Sequence, residues 1–422
     1  MLDVGATEAF NSTILCYTAF SSSTQERVQR LKILLITKKN PFGFESFGGA
    51  ESSTRLLAEK MAARGHQVTY LTLRASARDK AIARDVGVEL IAFPKIVGSR
   101  FSRIFKAVSR MLMLRTIMTL TLRHKVDLIY CFYELEVLEP ALRVRERFGR
   151  PKVVMRMAGL SWYDVSIRNP SRALRYQDAF RNVDSINFIS EGLKTMVESK
   201  LGDLDIQLQF RHIFVQDIGS STQPGRQLAY SDLPETPFRI IMATRFSTQQ
   251  KRQDLLIRAA ALLSRDLPVE IVLSGDGKRL HKMKVLATEL GVTDRITFLP
   301  FLPQPELWCR LQQTHLMCHA TDHEGLGKII VEAMAKGLPV LVSDVAPLNS
   351  FIRESETGFL VTNTPEAWAA RITELFARRE DLVRVSEAAV AFAVDRWDAD
   401  RSVKAYEDYF AIVIGENQRT PR

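Results

Sequence analysis

One pattern constrains this chain more than any other: an unbroken apolar run, a glycine-bearing loop, a helix with 3.6-residue periodicity, and a second apolar run. Arg30 to Thr37 (Arg-Leu-Lys-Ile-Leu-Leu-Ile-Thr) shows no polar alternation. That is the mark of a strand buried on both faces of a parallel sheet. The loop from Lys38 to Gly49 carries Gly43, Gly48 and Gly49, and the segment from Ala50 to Arg64 reads as a helix stopped by Gly65. Val68 to Leu73 is the next strand, followed by candidates at Val88–Phe93, Val126–Phe132, Lys152–Met157 and Ser185–Ile189. Strands that alternate with helices pair in parallel, with ligands held beyond their carboxyl ends. A Ser-, Gln-, Gly- and Pro-rich segment from Gly219 to Pro237 interrupts the alternation, which then restarts. Strands are expected at Phe238–Ala243, Val269–Leu273, Ile296–Leu299 and Leu316–His319, with helices at Asp254–Ser264, Leu280–Leu290 and Glu306–Gln313. With 422 residues the chain exceeds one ordinary core, so two open α/β units should face each other across a cleft. The tail from Trp397 to Ile414 reads as a helix, with Trp397, Val403, Tyr406, Tyr409 and Phe410 at its apolar positions.

Composition removes several function classes. The four cysteines (Cys16, Cys131, Cys309, Cys318) are far apart, which argues against a disulfide framework or a structural zinc site and fits a reducing compartment. No run is long enough for a spanning helix, and residues 1–30 lack the layout of a signal peptide and read as a poorly ordered extension. The net charge of +10 is unevenly placed, with 22 Lys/Arg against 11 Asp/Glu between residues 31 and 150. No nucleic-acid motif accompanies that excess. Part of it lies in Arg100–Arg123, where Arg100, Arg103, Lys106 and Arg110 recur at helical spacing opposite Phe101, Ile104, Phe105, Val108, Met111 and Leu112. This is either a basic amphipathic helix suited to an anionic bilayer surface or an ordinary surface helix with a solvated charged face.

The chemistry concentrates in His323-Glu-Gly-Leu-Gly-Lys-Ile-Ile-Val-Glu-Ala-Met-Ala-Lys-Gly-Leu-Pro339. It reads as a glycine loop, a helix from Lys328 to Lys336 stopped by Gly337, and a turn into the strand Val340–Val342. Glu324, Gly325, Leu326 and Gly327 precede the helix, so the carboxylate stands beside unpaired backbone N–H groups that favour an anionic or polyhydroxylated ligand. Glu324 is placed to accept hydrogen bonds from sugar hydroxyls. Glu332 sits in a helix apolar nearly all round, where a glutamate needs partners, and it suits the two hydroxyls of a nucleotide ribose. Arg245 and Lys251 follow a strand end and are either a pair of cations for a departing diphosphate or solvated loop charges. Gly49 and Gly275 lie in strand-end glycine turns that allow either a close approach to a phosphate or simply a tight bend. Lys328 is either a third cation for the diphosphate or a solvent-pointing side chain. His315, His319 and His323 lack a matching carboxylate cluster and read as structural or substrate-lining, so no metal is expected. Neither a nucleophile elbow nor a phosphate loop with its lysine is present.

The run Glu324-Gly-Leu-Gly-Lys-Ile-Ile-Val-Glu332-Ala-Met-Ala-Lys-Gly-Leu-Pro339 resembles the E-x7-E region of retaining glycosyltransferases of family 4, which have the GT-B fold. Weaker matches run along most of the chain: Phe47-Gly-Gly-Ala-Glu51 with Gly65-His-Gln-Val68, Ile189-Ser-Glu191, Ser274-Gly-Asp-Gly277, Asp294-Arg-Ile-Thr-Phe298, Pro339-Val-Leu-Val-Ser-Asp344 and Thr357-Gly-Phe-Leu360. The resemblance implies an α/β GT-B architecture of two Rossmann-like doubly wound domains. An N-terminal acceptor domain would span 31–220 plus 397–415, a linker 221–236, and a donor domain 237–396. It implies a hexosyltransferase-type, retaining, metal-independent enzyme (EC 2.4) with no cofactor. A UDP- or GDP-linked sugar would pass to a saccharide or lipid-linked acceptor, in bacterial-type cell-surface polysaccharide or glycolipid synthesis. The location implied is cytoplasmic, peripheral at the inner face of the plasma membrane. By position, Glu332 would bind ribose, Glu324 with the backbone of Gly325, Leu326 and Gly327 the donor sugar and phosphates, and Arg245 and Lys251 the diphosphate, with Gly49 approaching from the facing domain. The chain departs from the family at Arg156-Met-Ala-Gly-Leu160, where many members carry a histidine, and at Lys328, usually apolar or small. The N-terminal departure motivates one alternative, a catalytically degenerate nucleotide-sugar-binding or scaffold subunit, against which the intact Glu324, Glu332, Arg245 and Lys251 argue.

Overall fold

The structure is a computed structural model that describes residues 30–43, 49–93, 103–204, 206, 212–219, 237–247 and 249–415, with only the backbone for 103–107. Four sequence expectations therefore lie outside the described residues: all but the last residue of the extension 1–30, Phe47 and Gly48 of the first glycine loop, the start of the basic helix at 100–102, and the linker 221–236.

The first half alternates strand and helix as β1 (Lys32–Ile36), α1 (Gly49–Ala63), β2 (Gln67–Thr72), α2 (Ala77–Asp85), β3 (Val88–Ala92), α3 (Arg103–His124), β4 (Leu128–Phe132), α4 (Leu135–Phe148), β5 (Lys152–Met157), α5 (Ser161–Arg168), α6 (Pro170–Asn182), β6 (Ser185–Phe188), α7 (Glu191–Gly202) and β7 (Ile213–Val215). Its strands form one parallel sheet in the order β3-β2-β1-β4-β5-β6-β7. The second half runs β8 (Phe238–Ala243), α8 (Gln253–Leu262), β9 (Val269–Ser274), α9 (Leu280–Glu289), β10 (Ile296–Leu299), α10 (Gln304–Leu311), β11 (Leu316–His319), α11 (Lys328–Ala335), β12 (Val340–Ser343), β13 (Phe359–Val361), α12 (Pro365–Ala377), α13 (Arg379–Trp397) and α14 (Ala399–Gly415). Its parallel sheet has the order β10-β9-β8-β11-β12-β13. The unbroken apolar runs are explained by burial on both faces, complete for β6, β11 and β12. In each sheet the strand order reverses next to the first strand, between β1 and β4 and between β8 and β11. At such a switch point the crossovers leave to opposite faces and open a crevice beyond the strand ends.

Two expectations shift. The tail is not one helix from Trp397: α13 ends there, its indole between the rings of Phe351 and Phe392, at 5.4 and 5.5 Å. The chain turns at Asp398, whose carboxylate caps α14 by accepting from the Arg401 N–H at 2.7 Å. The exposed face of α3 also differs. Met113, Ile117 and Leu120 are buried, whereas Met111, assigned from sequence to the apolar side, is 61% exposed.

The chain passes between the halves at 216–219 and again at 397–399, and the two passages touch. Gly219 has φ +81°, and a β-carbon there would lie 2.7 Å from the Trp397 carbonyl oxygen and 2.9 Å from Ser402 Oγ, so only glycine fits. Beyond it α14 docks on the first sheet through Val403, Tyr406, Phe410 and Val413. A polar clasp secures it. Buried Glu407 accepts from Arg64 Nε and Nη2 at 3.1 and 2.8 Å and pairs with His66 Nε2 at 2.8 Å. His66 Nδ1 accepts from the Leu31 N–H, so Nε2 carries the proton given to Glu407.

Although burial opposes ionisation, the bonds from Arg64 and His66 win and hold the Glu407 carboxyl below the usual range. A depressed folded-state pKa gives stability that is present above the unfolded value and lost as pH falls through the folded one. Glu407→Gln should therefore cost about 1.5–3 kcal/mol at pH 7 in chemical denaturation. The gap to the native chain should close as the pH is lowered below the ordinary carboxylate pKa.

Candidate active site

The carboxyl ends of the two sheets face each other across a cavity of about 330 Å³. Its second-domain wall begins where β8 ends. Gln253 at the start of α8 is 1% exposed, and its Nε2 donates to Thr244 Oγ1 and to the Arg245 carbonyl oxygen, both at 3.0 Å. That buried amide fixes the path from which Arg245 projects, exposed at the cavity rim. Gly275, after β9, packs directly on this loop: at φ +144° a β-carbon would stand 2.1 Å from the Thr244 carbonyl oxygen. Glycine is thus required there for backbone packing.

The central feature lies beyond β11. Glu324 Oε2 accepts a hydrogen bond from the Lys251 ammonium and a second from His319 Nε2 at 3.0 Å, while Oε1 accepts from the Gly325 N–H at 3.1 Å. Lys251 Nζ is 3.3 Å from His319 Nε2. Desolvation penalises the Glu324 charge, but the Lys251 charge and the His319 bond outweigh it and hold the carboxyl well below its usual range. His319 is 2% exposed; burial and then the Lys251 charge push its pKa down, keeping the ring neutral. The other two histidines of the sequence set stand apart. His315 Nδ1 accepts from the Arg239 N–H at 2.9 Å, and His323 is exposed.

The loop into α11 is shaped by its glycines. Gly327 is left-handed at φ +69°, and a β-carbon on Gly325 would meet Ile189 Cδ1 of the first domain at 2.8 Å. The Gly325 carbonyl oxygen accepts from Ser190 Oγ at 3.1 Å, across the same seam. Leu326 packs beneath the loop, 7% exposed.

Lys328 does not point to solvent. Its Nζ donates to Ser52 Oγ of α1 at 2.9 Å and lies 3.8 Å from Glu332 Oε1. Its stem packs so closely on Gly49 that a β-carbon there would come within 3.0 Å of Lys328 Cβ. From the first domain, Arg156 and Asp217 complete the wall, joined at 3.1 Å, with Arg156 Nη1 also donating to Tyr130 Oη at 3.0 Å.

Of the sequence-predicted residues, Gly49, Arg245, Lys251, Gly275, Glu324, Gly325, Leu326, Gly327 and Lys328 all line this cavity. Glu332 is not among the lining residues. It lies one turn deeper in α11, 8% exposed, its Oε1 accepting from Gln304 Nε2 at 3.1 Å. Its ribose role would require that arrangement to open. Lys251, read from sequence as a diphosphate cation or a solvated loop charge, is paired with Glu324. Sequence reasoning missed Gln253 and the Arg156–Asp217 pair, although an arginine within the apolar strand Lys-Val-Val-Met-Arg-Met was a visible signal.

The glycosyl transferase 4-like domain model matches residues 48–202, and the model of glycosyl transferases group 1 matches residues 227–391. The chain belongs to the group 1 glycosyltransferases. Among curated relatives of this family member, the D-inositol 3-phosphate glycosyltransferase of Nocardia farcinica is 37% identical over 189 residues, covering 40% of this chain and 42% of that protein. The corresponding protein of Thermomonospora curvata is 32% identical over 204 residues, covering 44% and 46%. The matched region thus spans less than half the length of these relatives. Similar solved structures include Anabaena HepE in complex with UDP and glucose (TM-score 0.71, 19% identity, 91% of this chain and 100% of that one). Sucrose-phosphate synthase from Thermosynechococcus elongatus is also similar (TM-score 0.74, 18% identity, the same coverage). At these identities the likeness shows the fold, and it is the expected GT-B architecture.

The neutral His319 provides a direct check. In a histidine-labelled NMR titration its resonance should titrate below the ordinary value of about 6.5. Lys251→Met should move it up by removing a repelling charge, and Glu324→Gln should move it further down.

Proposed function

We propose that the chain transfers a sugar from a nucleotide-sugar donor to a saccharide or lipid-linked acceptor with retention of anomeric configuration. The observation that carries this is the Lys251–Glu324–His319 cluster at the switch point of the second sheet, beside the α11 N-terminus and the Arg245 guanidinium. In this reading Arg245 and Lys251 neutralise the charge that grows on the departing diphosphate. Glu324, released from Lys251 as the phosphates arrive, accepts hydrogen bonds from the donor-sugar hydroxyls, and neutral His319 holds the carboxylate in place. Among the described cavity-lining residues the carboxylates are Glu324 and Asp217, and each is tied to a cation. That is a poor arrangement for the nucleophile-and-acid pair of a retaining hydrolase. It favours attack from the face the leaving group departs, with a phosphate oxygen taking the acceptor proton. Metal is not required in this scheme, because the two cations take over charge neutralisation.

The donor is read as UDP- or GDP-linked. Support comes from HepE, solved with UDP-glucose, although the likeness to this chain is one of fold. The inositol 3-phosphate in the relatives' names makes a phosphorylated polyol one acceptor to try. The surface of α3 supports work at a membrane, in glycolipid or cell-surface polysaccharide synthesis. Met111 and Leu122 are 61% and 57% exposed there, beside exposed Arg110, Arg115 and Arg123. Apolar anchors ringed by arginines complement an anionic bilayer surface. Among the described residues no helix is long and apolar enough to cross one.

Thermal-shift screening against UDP-, GDP- and ADP-sugars, followed by donor turnover, tests the reading. Glu324→Gln should lower kcat by about 10²–10³-fold with little change in donor KM. EDTA should leave the rate unchanged, and the product should keep the donor's anomeric configuration. Nucleotide-sugar binding with no turnover for any acceptor would favour the degenerate binding subunit instead. For the membrane, the native chain should float with phosphatidylglycerol vesicles and the triple Arg110→Glu, Arg115→Glu, Arg123→Glu variant should not. Equal flotation of both would remove that part.

A further inference from the structure

Lys328 leaves an electrostatic imbalance that the transfer scheme above does not use. It is the first residue of α11, its side chain is 12% exposed, and it lines the cavity. A buried ammonium carries three protons and needs partners for them. Among the described residues it makes one hydrogen bond, to the neutral Ser52 Oγ at 2.9 Å, while the Glu332 carboxylate at 3.8 Å stays beyond hydrogen-bond range. Two helix N-termini add to the positive potential, because Gly49 opens α1 and lies against the lysine stem. Burial accordingly pulls the Lys328 pKa down and that of Glu332 up, each opposed by the other's charge. The cation thus lies against the cavity with its pairing incomplete among the described residues, and an anion entering between the two domains would satisfy the ammonium and both helix ends together.

Taking the nucleotide-sugar reading as its premise, we infer that Lys328 is a donor-binding residue that exchanges partners. On binding, its ammonium leaves Ser52 and Glu332 for the donor diphosphate, and the carboxylate so released turns to the ribose hydroxyls. The exchange accounts for Glu332 lying behind Lys328 and off the cavity wall. It also accounts for Gly49, since a side chain there would push the lysine stem out of the cleft. Diphosphate and ribose are neighbours in a nucleotide, as Lys328 and Glu332 are on successive turns of α11.

The test is titration calorimetry of the full chain with uridine, UMP and UDP, and with guanosine, GMP and GDP. The native chain, Lys328→Met, Lys328→Arg and Ser52→Ala are compared, each checked for folding by its thermal melt. Lys328→Gln takes the place of Lys328→Met should the latter not fold. The native chain should gain affinity from nucleoside to diphosphate, and Lys328→Met should lose about ten- to hundredfold of that gain while binding the nucleoside at least as well. Lys328→Arg and Ser52→Ala should keep the gain. A full diphosphate gain in Lys328→Met overturns the inference. So does an equal loss for nucleoside, monophosphate and diphosphate in Lys328→Met and Ser52→Ala alike, which would make Lys328 a strut between domains. A native chain that binds neither UDP nor GDP overturns the donor reading itself, and the inference with it.

Discussion

Where the two domains meet there is almost no room for a β-carbon. Added at Gly192 it would stand 2.1 Å from Pro347 Cβ, at Gly325 2.8 Å from Ile189 Cδ1, and at Gly49 3.0 Å from Lys328 Cβ. Each glycine lies on one domain and its obstacle on the other. The cleft exists as a shaped cavity because backbone approaches so closely on both sides. This approach brings the mouth of α11 within reach of α1 and sets Ser190 against the Gly325 carbonyl. The crossing between the domains obeys the same rule, since Gly219 lets the two interdomain passages touch.

Close approach has an electrostatic consequence. Charged groups packed into the seam are largely shielded from solvent and require partners, because a buried ion without one costs several kcal/mol, roughly. The structure answers with three clusters around one cavity: Lys251 with Glu324 and His319, Lys328 with Glu332 and Gln304, and Arg156 with Asp217 and Tyr130. In the first the cation is hydrogen-bonded to the carboxylate, and in the second the two lie 3.8 Å apart. On the proposed reading, a nucleotide sugar takes these cations with its phosphates and these carboxylates with its hydroxyls. The third cluster ties β5 to the passage near Gly219 and belongs to the frame. Glu407, clasped by Arg64 and His66 on the far side of the first domain, does the same for α14.

Much of the fold was legible because parallel strands buried on both faces have a simple signature. The segments at Lys152–Met157, Phe238–Ala243, Ile296–Leu299 and Leu316–His319 carry the same ends in the sequence reading and in the structure. Elements whose pattern depends on neighbours were less legible. Which face of α3 is buried was misjudged at Met111, because a long helix rich in Leu, Met and Ile offers more than one apolar stripe and only packing against α4 selects among them. The break at Asp398 was missed because an aspartate is compatible with a helix interior until its carboxylate caps a new one.

The sequence by itself determined the α/β class, the doubled architecture and most of the residues that line the cavity beyond the strand ends. Those properties follow from periodicity, from glycines and from charged residues at strand ends, all of which are local. Only the tertiary structure decided partnerships: that Lys251 is committed to Glu324, that His319 is the histidine beside it, that Glu332 lies behind Lys328, and that Lys328 reaches the facing domain. A charged residue's partner is set by distance in space. Residues 73 and 276 positions apart, as Lys251 and Glu324 or Ser52 and Lys328 are, meet only after both sheets have formed and closed on each other.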